Sequence, residues 1–330
     1  MKVSGIAAAC VVALSVAGCA SVGDEAKFPA KPVKIVIPYP AGNAADVVGR
    51  IVVDKLAQTW GQPVSVENRP GQTTVPGVDA VAKAPADGYT LLVHSVSYAV
   101  DAGLYSGLPY DPDKDLLTVA PFAKQPFVLV ASPSLGVKSV TELGAKARTA
   151  PLKFGSLGPT TQIYFVAEQF RKQAGVSATH VPYKSLVDAN EAVAKGDAAF
   201  WFPPVAGALP AIRDGKLAAL AVTSAQRVPQ LPQVPTMAEA GVKNMEIAAW
   251  FGLWAPAGVP AAVIDKIAKD VDQALAAADV REKLAKAGAQ PMSMTPAQFA
   301  RFVRDETESS RQLMKELGIG ARTYAPPAKP

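Results

Sequence analysis

Ile35-Val36-Ile37-Pro38-Tyr39-Pro40-Ala41-Gly42-Asn43 is an apolar run that stops at two prolines and a glycine, and a helical pattern begins directly after it. From Val47 onward Val48, Val52 and Leu56 recur four apart, while Arg50, Asp54 and Gln58 form a polar stripe. Residues at that spacing share one helix face, so the segment reads as strand, tight loop and amphipathic helix packed on a sheet. The start of such a helix exposes backbone N–H groups that have no intrahelical acceptor, and the helix dipole adds partial positive charge. With Gly42 letting a ligand approach the main chain, the loop is a candidate anion site.

Outward from this unit, strand-like runs alternate with helix-like ones. The strands are expected near Val33–Pro38, Val64–Val66, Thr90–Val93, Phe127–Ala131, Leu152–Ser156, Ala198–Phe202, Leu217–Val222 and Ala248–Ala255. Such alternation predicts α/β domains with largely parallel sheets. Helices are expected over Ala261–Ala277 and, near the C-terminus, from a Thr295-Pro296 start to a stop at Gly318. The final Ala325-Pro326-Pro327-Ala328-Lys329-Pro330 offers nothing to a core, so a disordered tail is expected over about 322–330.

Lys2 precedes an uncharged, mostly apolar stretch from Val3 to Ala20 that ends in Val16-Ala17-Gly18-Cys19. This is the pattern of a secretory signal over residues 1–18, with a lipobox-like end that would make Cys19 a lipidated first residue; ordinary cleavage near Ala20 is the alternative. The remainder is long enough for two domains with sizeable cores. Both cysteines of the chain, Cys10 and Cys19, lie in this segment, so the body has neither disulfides nor thiol chemistry. A formal charge of +5 without a basic run argues against nucleic acid and suits anionic solutes weakly.

Catalytic groups are sparse. The two histidines, His94 and His180, stand far apart and read as structural or exposed, and no HExxH, Gly-x-Ser-x-Gly or P-loop motif occurs. Asp111-Pro112-Asp113-Lys114-Asp115 suits a solvated turn better than a calcium loop. A secreted hydrolase acting on a carboxylated substrate is the enzyme alternative, and it lacks a nucleophile elbow.

Many short blocks in register then carry a resemblance. They are Pro38–Asp46, Gly61-Gln62, Val66–Gly71, Ala86–Leu92, Val181–Lys184, Leu220–Ser224, Val234–Thr236 with Glu239–Gly241, and Trp250–Gly252 running into Ala255–Pro260. Together they resemble the solute receptors of tripartite tricarboxylate transporters, the Bug family, across essentially the whole mature chain. The resemblance implies a type II periplasmic-binding-protein fold, two α/β lobes joined by two crossover strands with the ligand cleft between them. The crossovers would fall near Phe122–Val130 and Ala248–Leu253, giving one lobe from residues 28–126 plus 252–330 and another from 127–251. It implies a non-enzymatic receptor that captures a small carboxylate, often a dicarboxylate, and delivers it to membrane permease subunits; a sensor serving a two-component receptor is the alternative. No cofactor or metal is implied, the membrane is met only through the lipid anchor, and a monomer is expected.

By family position one half of the site is the first loop, Tyr39, Ala41, Gly42, Asn43, Ala44 and Asp46, with Asp46 ordering the loop rather than facing an anion. The other half is Ser156-Leu157-Gly158-Pro159-Thr160-Thr161, leading into a helix over Ile163–Phe170, where Ser156, Gly158, Thr160 and Thr161 would donate or cap. Ser95 and Ser97 end a strand at the expected crevice, and Tyr183 would line the second lobe. The sequence departs from the family pattern at Asn43, where a second glycine is usual; at Tyr164, where a histidine is usual; and at Pro203, where an acidic residue is common. Asn tolerates left-handed geometry and brings an amide donor. Trp201 or Phe202 would pack against a ring-containing diacid, with strand-core packing preferred for Phe200 and Phe202. Arg50, Arg69 and Lys184 are expected in salt bridges and Trp250 at the hinge.

Overall fold

The computed structural model describes residues 28–71, 73–158 and 161–326. Signal, Cys19, Gln72, Pro159, Thr160 and residues 327–330 lie outside the described residues. The first lobe opens with β1 (Val33–Ile37), α1 (Ala44–Trp60), β2 (Val64–Asn68), α2 (Val75–Ala82), β3 (Thr90–Ser95), α3 (Ser97–Leu104), β4 (Tyr105–Ser106) and β5 (Leu116–Pro126). The second lobe follows as β6 (Val128–Ala131), α4 (Val140–Thr149), β7 (Leu152–Ser156), α5 (Gln162–Ala174), β8 (Ala178–Pro182), α6 (Leu186–Lys195), β9 (Phe200–Trp201), α7 (Val205–Arg213) and β10 (Ala218–Val222). The chain returns to the first lobe through β11 (Ala248–Pro256), α8 (Ala261–Ala276), α9 (Ala278–Lys286), β12 (Gln290–Pro291), α10 (Pro296–Glu316) and β13 (Arg322–Thr323).

Two large sheets organise these elements, in the orders β12-β5-β11-β3-β1-β2 and β10-β6-β9-β7-β8, and β13 pairs with β4 in a third, two-stranded one. In β1 the alternation of the strand sorts the apolar side chains. Ile35 and Ile37 face a core built with α1 and α8, and Val36 faces another built with α2 and α10. The apolar stripe of α1 is fully buried at Val48, Val52 and Leu56, each worth about 1.5–3 kcal/mol relative to exposure. Trp60 closes the helix by donating its indole N–H to Asp270 on α8 at 2.6 Å. Gly252 is needed where β11 passes under Phe299, because a Cβ there would lie 2.5 Å from the ring.

The lobes are connected twice. Pro126 ends β5 and Val128 begins β6, while the return passes from Ile247 into Ala248, which already pairs with Pro126. Residues 248–251 therefore sit in the first sheet, four residues before the boundary expected from sequence. Thr223 ties the two connections together: its hydroxyl accepts the Phe127 N–H at 2.9 Å and donates to the Ile247 carbonyl at 2.5 Å.

Between the lobes, Gln162 donates to the Ala248 carbonyl at 3.1 Å, Lys172 pairs with Glu316, and Phe165 packs with Val100, Leu104 and Met314. The expected tail is corrected over its first part. Arg322 and Thr323 pair with Tyr105 and Ser106, Tyr324 donates its N–H to the Ser106 carbonyl at 2.8 Å, and the Tyr324 ring packs on the first-lobe core and edge-on to Tyr105, so backbone pairing and one aromatic side chain order the stretch.

Candidate functional site

The β1–α1 junction is held by one carboxylate. Asp46 is buried and accepts the Gly42 N–H at 2.9 Å, Arg50 Nε at 2.9 Å and Asn68 Nδ2 at 2.8 Å. Asn68 also donates to the Tyr39 carbonyl at 3.0 Å and accepts from Arg50 at 2.8 Å, which fastens the loop to β2. Burial opposes the Asp46 charge, but the bonds from Asn68 and Gly42 and the charge of Arg50 outweigh it and hold the carboxyl below its ordinary value. Both Asp46 oxygens are thus occupied in ordering the loop, and neither is left to contact a ligand.

Gly42 takes φ +82°, the left-handed region, whereas Asn43 is extended at φ −63°, ψ 156° and caps α1 by accepting the Ala45 N–H at 3.0 Å. The left-handed geometry envisaged for Asn43 thus belongs to Gly42. Ala41, Gly42 and Asn43 are exposed. The Gly42, Asn43 and Ala45 amides all have acceptors in the loop, and those of Ala44 and Asp46 have none among the described residues.

Beside this loop Tyr39 OH lies 2.7 Å from Ser95 Oγ and 3.2 Å from His94 Nδ1. Burial raises the Tyr39 phenol and lowers His94 to about 4, so both are neutral near pH 7. His94 Nδ1 also lies 2.9 Å from the Ser95 N and 3.0 Å from the Ser95 carbonyl oxygen. Tyr39 and Ser95 thus brace one another between the first loop and the start of α3, and the Ser97 N–H donates to Ser95 Oγ at 3.3 Å.

The β7–α5 junction has the same outline and different chemistry. Ser156 is fully buried, and its Oγ accepts the Gly158 N–H at 3.0 Å. Thr161 caps α5: its Oγ1 accepts the Tyr164 N–H at 3.4 Å and donates to the Gly158 carbonyl at 2.8 Å. The Thr161 hydroxyl is thus engaged in the cap, and Thr160 lies outside the described residues. Gly158 turns the loop at φ +115°.

Tyr183 continues the β7–β8 pairing by donating its N–H to the Ser156 carbonyl at 2.8 Å. Its half-buried ring lies over Gly155, 3.2 Å from where a Cβ would be. Tyr164 stands edge-on to His180, ring centres 4.8 Å apart. His180 Nε2 is 2.6 Å from Ser156 Oγ, a contact the sequence reading missed. Its signal was the alternation of β7 and β8, whose parallel register sets Phe154 against His180.

Burial overturns the expectations for Trp201 and Pro203 and puts Phe202 in the strand core preferred for it. Trp201 and Phe202 are wholly buried in the second-lobe core, and Pro203 is buried with its carbonyl accepting the Val128 N–H at 3.0 Å. None offers a surface to a ligand, so ring packing on Trp201 or Phe202 drops out. Arg50 and Arg69 form ion pairs with Asp46 and Glu67, whereas Lys184 is exposed. Trp250 does lie at the hinge, donating its indole N–H to Glu306 of α10 at 2.9 Å. A cavity of about 610 Å³ opens there between α5, α10 and the crossovers. None of the loop residues just described lines it.

Two α/β sheets, two crossovers and a capped helix start on each lobe define a two-lobed solute-binding protein of the periplasmic type. The match to the model of the tripartite tricarboxylate transporter family receptor, over residues 48–319, makes the family explicit. The chain belongs to that family of solute-binding receptors, which are not enzymes. It is 34% identical to protein BugT of Bordetella pertussis, covering 96% of this chain and 99% of the relative. Among solved structures it is similar to R. palustris Rpa4515 with adipate, at TM-score 0.78 and 31% identity, covering 90% of this chain and all of that one. It is also similar to MatC of Rhodopseudomonas palustris with bound malate, at TM-score 0.72 and 30% identity over 87% of this chain and 99% of the other. Among the described residues no helix is long and apolar enough to cross a membrane.

Proposed function

We propose that this chain captures a small aliphatic dicarboxylate between the Ala41–Asp46 and Ser156–Thr161 loops and hands it to the permease subunits of a tripartite transporter. The observation that carries the reading is the like construction of the two loops. Each is fixed by its own side-chain keystone, turned by a glycine at positive φ and capped by an Asn or Thr side chain. Amide donors at a helix start replace a carboxylate's hydration shell without a second buried charge that would itself need desolvation. Tyr39, Ser95, Tyr164 and Tyr183 border the loops and would limit ligand length.

The adipate and malate carried by two similar proteins agree with a diacid of four to six carbons. Thermal-shift titration against aliphatic mono-, di- and tricarboxylates and amino acids tests this. A dicarboxylate should raise the melting temperature with concentration, and a response only to amino acids or neutral solutes would exclude the carboxylate class. Delivery is tested by uptake of the same ligand in cells lacking the protein and in cells with it restored. Anchoring through Cys19 predicts a diacylated N-terminus by mass spectrometry, and monomeric action predicts a single-chain mass in solution with and without ligand.

A further inference from the structure

We propose that His180 is a positioning residue that couples carboxylate capture to uptake of a proton, a deepening that rests on the dicarboxylate reading above. The geometry at Ser156 points to it. Ser156 Oγ has three close polar neighbours: His180 Nε2 at 2.6 Å, the Gly158 N–H at 3.0 Å and the Gly158 carbonyl at 3.3 Å. A hydroxyl has one proton and two acceptor lone pairs. All three contacts are satisfied together only when Nε2–H and the Gly158 N–H both donate to Oγ and the hydroxyl donates to the carbonyl. The imidazole then stands one hydroxyl away from the loop that would hold a carboxylate.

The surroundings leave this ring titratable. His180 is half-buried on β8, the edge strand of its sheet. From β7 it meets Phe154 and Ser156, neither charged. From α5 it meets Tyr164, and Glu168 is the acidic group that faces it, already paired with Arg171 at 2.6 Å. Burial lowers the imidazole and Glu168 partly restores it, so the free protein holds His180 neutral at pH 7. A carboxylate arriving at the Ser156–Thr161 loop adds a negative charge on the far side of the hydroxyl and favours the imidazolium. Binding then raises the His180 pKa and takes up a proton. Affinity is lowest above the bound-state pKa, rises as pH falls through it, and levels off below the free-state pKa. A bound-state pKa one unit above the free value gives up to about a tenfold range.

The test is an imidazole NMR titration of the full mature protein, without and with saturating adipate or malate. Calorimetry at pH 6–7 in buffers of different ionisation heat accompanies it. The chain has only two histidines, and His94, buried and held near 4, serves as an internal control. The expected result is an upward move of the His180 midpoint on binding, a fractional proton taken up per ligand, and affinity independent of pH in His180→Gln, whose amide keeps a donor without a titration. Saturating binding with an unmoved His180 midpoint, or unchanged proton uptake in His180→Gln, overturns the coupling and leaves the carboxylate reading standing. If neither these diacids nor other carboxylates bind, the carboxylate reading itself fails and the coupling with it. The wild-type titration decides the matter even if the variant does not fold.

Discussion

The two candidate binding loops share a plan and differ in what locks them. In the first lobe a buried carboxylate, Asp46, gathers a backbone amide, an arginine and an asparagine. In the second a neutral hydroxyl, Ser156, gathers a backbone amide, a carbonyl and an imidazole. A carboxylate accepts several donors at once, and its bonds to charged groups are about twice as strong as neutral ones. The first loop is therefore a fixed platform whose geometry does not change between pH 5 and 8. The second contains a histidine, the side chain whose ordinary charge change falls in that range, so adjustment to the ligand falls to it.

Breaking the first loop should have the larger effects. Gly42→Pro forces φ from +82° towards −65° and removes the N–H that Asp46 accepts. Strain and the lost bond together of about 3 kcal/mol or more would weaken dicarboxylate binding over a hundredfold. Melting should fall as well, because the buried Asp46 oxygen that accepts the Gly42 N–H is left without its donor; isothermal titration at a temperature where the variant is folded reads the binding loss separately. Asp46→Ala comes next. It leaves the Gly42 amide and Asn68 without their acceptor, a cost of about 2 kcal/mol in unfolding free energy read from urea melts.

Acid should mimic this second change with a definite sign. The native Asp46 pKa is depressed, so its stabilisation is full above the ordinary aspartate value of about 4 and is lost as pH falls through the lower native value. Wild type and Asp46→Ala should therefore converge in stability on acidification.

How much of this arrangement was legible depended on sequence distance. The first loop, its cap and its keystone all lie within Gly42–Arg50, where strand alternation, helix spacing and capping chemistry act locally, and only the Asn68 bonds reach further. The Ser156–His180 contact spans two strands and a helix, and a lone histidine carries no mark of its register until β7 and β8 pair. Trp201 and Pro203 failed differently. A two-residue strand, β9, lies inside the sheet between β6 and β7, and the residues after it are held by the crossover, so position along the chain gave no measure of burial there. The ordering of Arg322–Thr323 was equally hidden, since it comes from backbone pairing that composition does not encode.

The second loop sharpens the comparison with a smaller change. Ser156→Ala removes the hydroxyl that receives the Gly158 N–H and meets His180, costing about 1–2 kcal/mol of stability. Dicarboxylate affinity should fall about tenfold or less, since the Thr161 cap of α5 remains. A loss as large as that of Gly42→Pro would mean that both loops are equally rigid and would remove the distinction drawn between them.

The finest test of the comparison is Asn43→Gly, which restores the glycine usual in the resembling family. Glycine is a serviceable N-cap, so stability should fall by only a few tenths of a kcal/mol, and Gly42, Asp46 and Asn68 keep their bonds. Asn43 Oδ1 is turned inward to the Ala45 N–H, which leaves the amide nitrogen as the exposed side chain's remaining donor. A platform defined by backbone amides alone predicts an unchanged ranking of dicarboxylates for Asn43→Gly. A reordered ranking at equal stability would make the Asn43 amide a selectivity group, and the two loops would then divide the work by ligand identity as well as by rigidity.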